Sequence, residues 1–293
     1  MRQYSQKAYA KINLSLNVLG RRADRYHEVS MVMHQISLAD TVSVALLDEK
    51  GIVLTSDSEQ IPLDERNLAY QAAQMVVEKF SVPQGIHIHI EKKIPVAGGL
   101  AGGSTDAAAV LCLLNRALAL GLSEKELMAL GLRLGADVPF CIFSRPALAE
   151  GIGEKLTAIH GLAPCRILIV NPRTEISTKA VYEAMDSYTD TAPACNDKLI
   201  SALEEGNNQN AFLYMKNAME QVSCAMCPQI AEIIRSLKKA GAQHAMMSGS
   251  GATCFGIFPP ESRIENLSQL FPNYLVRTAE PYYGESPCNF NNM

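Results

Sequence analysis

The chain has 293 residues, 48% hydrophobic and 19% charged, with a formal net charge of -4, proportions that suit a sizeable buried core and exclude a disordered or fibrous chain. The mild acidic balance argues against a surface built to neutralise a nucleic-acid backbone. No apolar run is long enough for a bilayer, and Met1 to Lys11 lacks a signal-peptide core or a transit pattern, so a cytoplasmic protein with neither a membrane nor a nucleic-acid partner is expected.

From the N-terminus, Ala10 to Leu19 alternates Ile12, Leu14, Leu16 and Val18 with other residues, the period of a half-buried strand. Thr41 to Leu47 and Ile52 to Thr55 are further strand candidates. Asn67 to Phe80 has helical periodicity through Leu68, Ala72, Met75 and Val76. Ile86, Ile88 and Ile90 alternate with His87, His89 and Glu91, predicting a strand whose histidines lie on a solvated face. The glycine-rich segment Pro95 to Thr105 then leads into a helix with Ala107, Leu111, Leu114 and Leu118 at helical spacing, closed by Gly121. Ser123 and Glu126 form a capping box for the next helix, Gly135 ends it, and Asp137-Val138-Pro139 follows at once. Beyond lie a strand over Arg166 to Val170, a helix over Thr178 to Met185, a helix opened by Pro228 and ended by Gly241, and a strand over Cys254 to Phe258. Strands alternating with helices predict a mixed α/β chain of two unequal lobes, divided near residues 160 to 170. The tail from Pro281 to Met293, rich in Asn, Gly and Pro, is given no element.

Eight cysteines are scattered along the chain, Cys288 in the tail among them, and several sit in apolar segments, where a reduced thiol acts as a small hydrophobe. Only Cys224 and Cys227 have metal-like spacing, and no second Cys/His pair completes a four-ligand set. A reduced set of cysteines and no zinc site are expected.

The glycine-rich segment carries the chemistry. Four glycines in six positions between a strand and a helix let the backbone turn tightly and approach a ligand, and free amides at the helix start favour phosphate. A mere strand-to-helix connection is the other reading, at a high cost in conformational entropy. Gly98 to Thr105 has Walker A glycine spacing without its lysine, and Leu100 occupies the second glycine position of a dinucleotide fingerprint, so neither of those loops is present. Phosphoryl transfer further needs a group to position or deprotonate the attacking hydroxyl, and positive charge. Asp137, beside apolar Val138, Pro139 and Phe140, is the carboxylate candidate, with a turn or cap role as the alternative. Lys11, in a half-apolar strand, is the cation candidate; an ordinary exposed lysine is the other reading.

The run from Pro95 to Ala108 resembles the central motif of the GHMP kinases, and Met247-Ser248-Gly249-Ser250-Gly251-Ala252 is similar to their C-terminal glycine motif. Ala10-Lys11-Ile12-Asn13-Leu14, the run Gly20 to Glu28, and Leu134-Gly135-Ala136-Asp137-Val138-Pro139 resemble the members that act on a diphosphocytidyl substrate. The resemblance implies an α+β, two-lobed fold. Residues 1–162 would form an ATP-binding lobe like ribosomal protein S5 domain 2, and residues 163–293 a ferredoxin-like α/β lobe. It implies ATP as cosubstrate, with Mg2+ carried on the nucleotide rather than in a protein metal site. Its phosphates would lie on Pro95, Val96, Ala97, Gly98, Gly99, Leu100, Ala101, Gly102, Gly103, Ser104 and Thr105, with Leu68 beside adenine. Asp137 would be the catalytic carboxylate and Lys11 its partner. Asn13, Tyr26, His27, Thr178, Tyr182, Gly249 and Gly251 would serve the cytidyl diphosphate substrate, Tyr26 and Tyr182 stacking on either face of cytosine.

The implied reaction is ATP-dependent phosphorylation of the 2-hydroxyl of diphosphocytidyl-methylerythritol, in the non-mevalonate route to isoprenoid precursors, by a monomer or weak homodimer. A homoserine- or mevalonate-type member and a non-catalytic ligand-binding relative are the alternatives. Tyr26, His27 and Tyr182 speak against the first, and Lys11 with Asp137 against the second. The family usually carries glycine where Arg25 stands, so a turn suited to positive φ is expected to be altered before Tyr26.

Overall fold

The computed structural model describes residues 3–187 and 193–284; Cys288 and the tail beyond 284 lie outside them. Two long antiparallel strands, β1 (Gln3–Arg21) and β2 (His27–Leu47), form the spine. They are followed by β3 (Ile52–Ser56), α1 (Leu68–Phe80), β4 (Gly85–Glu91), α2 (Gly102–Ala117), α3 (Glu124–Leu132), α4 (Val138–Phe143), β5 (Ala147–Gly151) and β6 (Lys155–Ala158). The remainder comprises β7 (Arg166–Asn171), α5 (Thr178–Met185), α6 (Asn196–Glu204), α7 (Asn208–Phe212), β8 (Lys216–Asn217), α8 (Glu220–Met226), α9 (Gln229–Lys239), β9 (His244–Met247), β10 (Cys254–Phe258), a 3-10 turn, and β11 (Leu275–Ala279).

Among the described residues the strands make two sheets. The larger has seven strands, in the order β3-β4-β2-β1-β8 with the β5–β6 hairpin added to β2; the smaller is the antiparallel β11-β7-β10-β9. One core lies between the first sheet and α1 to α4, where Ile86, Ile88 and Ile90 meet Leu111 and Leu114. A second joins Ile12 and Leu14 of β1 to Ile167, Ile169 and Phe255 of the smaller sheet and to α6 and α7. A third packs α5, α8 and α9 on that sheet and takes in Met31 and Met33 of β2. The expected boundary at 162/163 falls between β6 and β7, yet two of these cores draw on residues from both sides of it.

Covering both faces of the spine explains the main departure from the sequence reading. The middle of β1 is buried on both faces, not half-buried, and its polar residues are paired inside. Ser15 donates to the Asn196 side chain at 2.6 Å, and Asn17 exchanges hydrogen bonds with the backbone of Ala194. Burial without a partner would cost each group about 1–3 kcal/mol, so α6 is tied to β1 at these residues. The expectation of a fully reduced set of cysteines fails at Cys112 on α2, which is disulfide-bonded.

Candidate active site

The glycine-rich segment runs from the end of β4 into α2, whose helix starts earlier than its apolar periodicity indicated. Gly102, Gly103 and Ser104 therefore form the first turn, where amide donors have no partner within the helix and the dipole favours an anion, whereas the Thr105 amide already donates to the Ala101 carbonyl at 2.9 Å. Ahead of it the chain takes left-handed φ at Ala97, Gly99 and the N-cap Ala101. Gly98 serves close approach instead: a Cβ there would stand 2.5 Å from the Thr253 hydroxyl, which itself accepts from Asn171 at 2.8 Å. A Cβ on Gly99 would run into the Ser248 carbonyl oxygen. The Ser248 hydroxyl donates to the Gly99 carbonyl at 3.0 Å, so the segment is seated on the loop between β9 and β10.

That second loop contains Gly249 and Gly251, both at positive φ. Asn217 of β8 donates to the Met247 and Gly249 carbonyls, and the Thr178 hydroxyl lies 2.9 Å from that of Ser250. A Cβ on Gly249 would lie 3.4 Å from the Lys11 ammonium. Two glycine-rich loops and the head of Lys11 thus converge on one point.

Lys11 is 4% exposed in the middle of β1, where an unpaired ammonium would be costly. Its backbone amide donates to the Leu100 carbonyl at 3.1 Å, fixing the strand against the phosphate segment. Its Nζ donates to Asn13 Oδ1 at 2.8 Å and stands 3.7 Å from Asp137 Oδ2. Asp137 occupies the N-cap position of α4 but its side chain makes no capping bond, which leaves the carboxylate, 32% exposed, free to face the cleft. Asn13 is fully buried, with Nδ2 3.3 Å from the Met31 sulfur. Its Oδ1 holds the Lys11 ammonium from a buried position.

Tyr182 of α5 lies close enough to feel Asp137: its phenol is pushed up to about 12, by burial first and then by that negative charge. One face of its ring is covered by His27, with centroids 4.7 Å apart and planes 21° from parallel. His27 Nε2 is 2.7 Å from Asp186 at the end of α5. Tyr26 stands 59% exposed. The expectation of an altered turn fails at Arg25: it keeps the left-handed region, φ 71°, at a Cβ penalty that glycine would not incur.

On the other side of the phosphate segment a cavity of about 230 Å³ is lined by Leu68, Asn67, Ile61, Pro62 and Pro95 to Ala97, with Gly102 and Gly103 at its rim. Asn67 caps α1 through Ala69 N and reaches the Pro62 carbonyl, which braces this wall. Lys92 and Asp106 also line the cavity, and neither was singled out by the sequence. Lys92 pairs with Asp40 across 52 residues of chain and with Asp106 across 14, separations at which no local pattern reports the pairing.

Comparison with known proteins places these features in a family. The family model described as "GHMP kinases N terminal domain" matches residues 67–145, and that described as "GHMP kinases C terminal" matches residues 191–275. The chain is 49% identical over 254 residues to a 4-diphosphocytidyl-2-C-methyl-D-erythritol kinase of Clostridioides difficile (strain 630), covering 86% of each chain. It is 46% identical over 276 residues to one of Alkaliphilus metalliredigens, covering 92% of this chain and 94% of the other. A crystal structure of 4-(cytidine 5'-diphospho)-2C-methyl-D-erythritol kinase superposes with a TM-score of 0.82 at 31% identity, covering 96% of this chain and 100% of that one. A homoserine kinase from Cytophaga hutchinsonii, 18% identical with a TM-score of 0.75 and 98% and 96% coverage, shares the fold. With the two glycine loops meeting beside Lys11 and Asp137, the chain belongs to the GHMP kinases, a family of small-molecule phosphotransferases.

Proposed function

We propose that the protein transfers the γ-phosphoryl group of ATP to the 2-hydroxyl of 4-diphosphocytidyl-2-C-methyl-D-erythritol, in the cytoplasm, on the non-mevalonate route to isoprenoid precursors. The observation that carries the chemistry is the Lys11–Asp137 pair, 3.7 Å apart at the junction of the two glycine-rich loops. The substrate rests on the high identity to relatives bearing that kinase name.

In this reading the amides of Gly102 to Ser104 and the Ser104 and Thr105 side chains hold the phosphates, and Leu68 packs on adenine. Asp137 orients the hydroxyl and accepts its proton. Lys11, itself oriented by Asn13, keeps Asp137 in place and favours the alkoxide-like oxygen. A loose transition state needs mainly such positioning and positive charge. Tyr182 offers a face for cytosine with His27 and Tyr26 beside it, while Thr178, Gly249 and Gly251 shape the floor. The hydroxyl of Ser104, on the first turn of α2, is the hard oxygen donor that would suit nucleotide-borne Mg2+, which when bound would supply positive charge to the phosphates.

Asp137→Asn tests the assignment. We expect kcat to fall by roughly a thousandfold or more, with ATP affinity by titration calorimetry within about twofold. Phosphoryl transfer at a near-wild-type rate would show that Asp137 does not do this work.

A further inference from the structure

We propose that Asp40, Lys92 and Asp106 form a buried ionic clasp that fixes the two ends of the phosphate segment and thereby sets its geometry for ATP. This rests on the ATP-binding reading above. Lys92 is the first residue after β4, and its ammonium lies 2.5 Å from Asp40 Oδ2 and 2.8 Å from Asp106 Oδ2. Asp40, on β2, uses its other oxygen to accept from the amides of Lys93 and Ile94, at 2.5 and 2.9 Å. Asp106 sits near the start of α2, the far end of the segment. The three side chains are only 5%, 0% and 3% exposed.

The clasp therefore joins a spine strand, the start of the segment and the helix that receives the phosphates. Its ammonium also lies beneath the helix: a Cβ on Gly102 would be 3.4 Å from Lys92 Nζ. So little of these side chains is exposed that the ion pairs act in a dielectric well below that of water, and loss of either link frees one end of the segment. Burial and the charge of Asp40 hold the Asp106 carboxyl above the ordinary carboxylate range, against the pull of Lys92. One oxygen of Asp106 is buried without a hydrogen-bond partner, and Asp106 is among the residues lining the nucleotide cavity. The contacts of Asp40 run to the start of the segment and those of Lys92 across to α2, which is the pattern of a positioning device.

The test compares wild type with Lys92→Met and with the double variant Lys92→Met/Asp106→Asn, which removes the cation without leaving a second buried carboxylate unpaired. Folding is checked by a cooperative thermal transition, and KM for ATP and for the cytidyl substrate are measured separately. We expect the folded double variant to raise the KM for ATP roughly tenfold or more, about 1.4 kcal/mol, with the KM for the cytidyl substrate within twofold. A folded double variant with an unchanged KM for ATP, or equal rises in both constants, overturns the clasp. Wild type that does not bind ATP at all would instead overturn the reading beneath it, and the clasp with it.

Discussion

His34 is the most informative single residue outside the cleft. It is fully buried on β2, and its Nδ1 donates to the Gln35 carbonyl at 2.6 Å, leaving Nε2 with no partner. Burial lowers its pKa from 6.5 to about 4, so the native state excludes a proton that the unfolded chain takes up. Between those values the unfolded state binds more protons, and stability falls as pH drops from about 6.5 toward about 4. From pH 7 to 4.5 we expect wild type to lose about 2 kcal/mol more than His34→Asn, measured by urea unfolding. His244, lowered to about 4 mainly by burial, contributes to the slope of both proteins and cancels in the comparison. Parallel pH profiles for the two would contradict this. At this scale the sequence was legible where chemistry is out of place: a lysine inside an apolar strand and an aspartate beside a helix stop both lie in the cleft. It did not disclose that Asn13 works through Lys11, because burial on both faces of β1 is a tertiary property.

The phosphate segment shows what one element asks of its residues. Gly99, at φ 74°, faces the Ser248 carbonyl, whereas a Cβ on Gly103 would meet Leu68 only at an ordinary 3.8 Å. Gly99→Ala combines a left-handed alanine with a backbone collision and should lower stability by about 2 kcal/mol or more. Gly103→Ala, in a helix, should cost nothing measurable in stability. Calorimetric melting of the pair checks this, and equal losses would rule out the loop-to-loop seat as the reason for glycine at 99. Elements with local signals were readable. Ser123 and Glu126 do form the capping box of α3, and Thr178–Met185 and Cys254–Phe258 fall where periodicity set them. The first half of β2 was not readable, since burial on both faces erases alternation. The β5–β6 hairpin is short and β8 has two residues, so their pairing is decided by their neighbours rather than by propensity.

At the scale of the molecule, the two halves of the chain are joined by more than a linker. β8 pairs in parallel with β1, Pro281 bridges Ile36, and Tyr283 donates to the Leu162 carbonyl. The division at 162/163 stays a proposal about sequence blocks, as does a monomer or weak homodimer. No helix of the described residues is long and apolar enough to cross a membrane. The cleft is assembled from β1, α2, α4, α5 and the β9–β10 loop, and neither half of the chain builds it alone. The two-lobed α+β fold was legible through motifs spread along the chain; the shared cores were not, because they depend on contacts between distant segments. What distinguishes the members of the family is which hydroxyl receives the phosphoryl group. The measurement is ATP-dependent phosphorylation by the purified full chain with diphosphocytidyl-methylerythritol, mevalonate and homoserine assayed in parallel. The cytidyl substrate is expected to turn over at a kcat/KM at least about a hundredfold above the other two; turnover of mevalonate or homoserine in preference to it would overturn the proposed substrate.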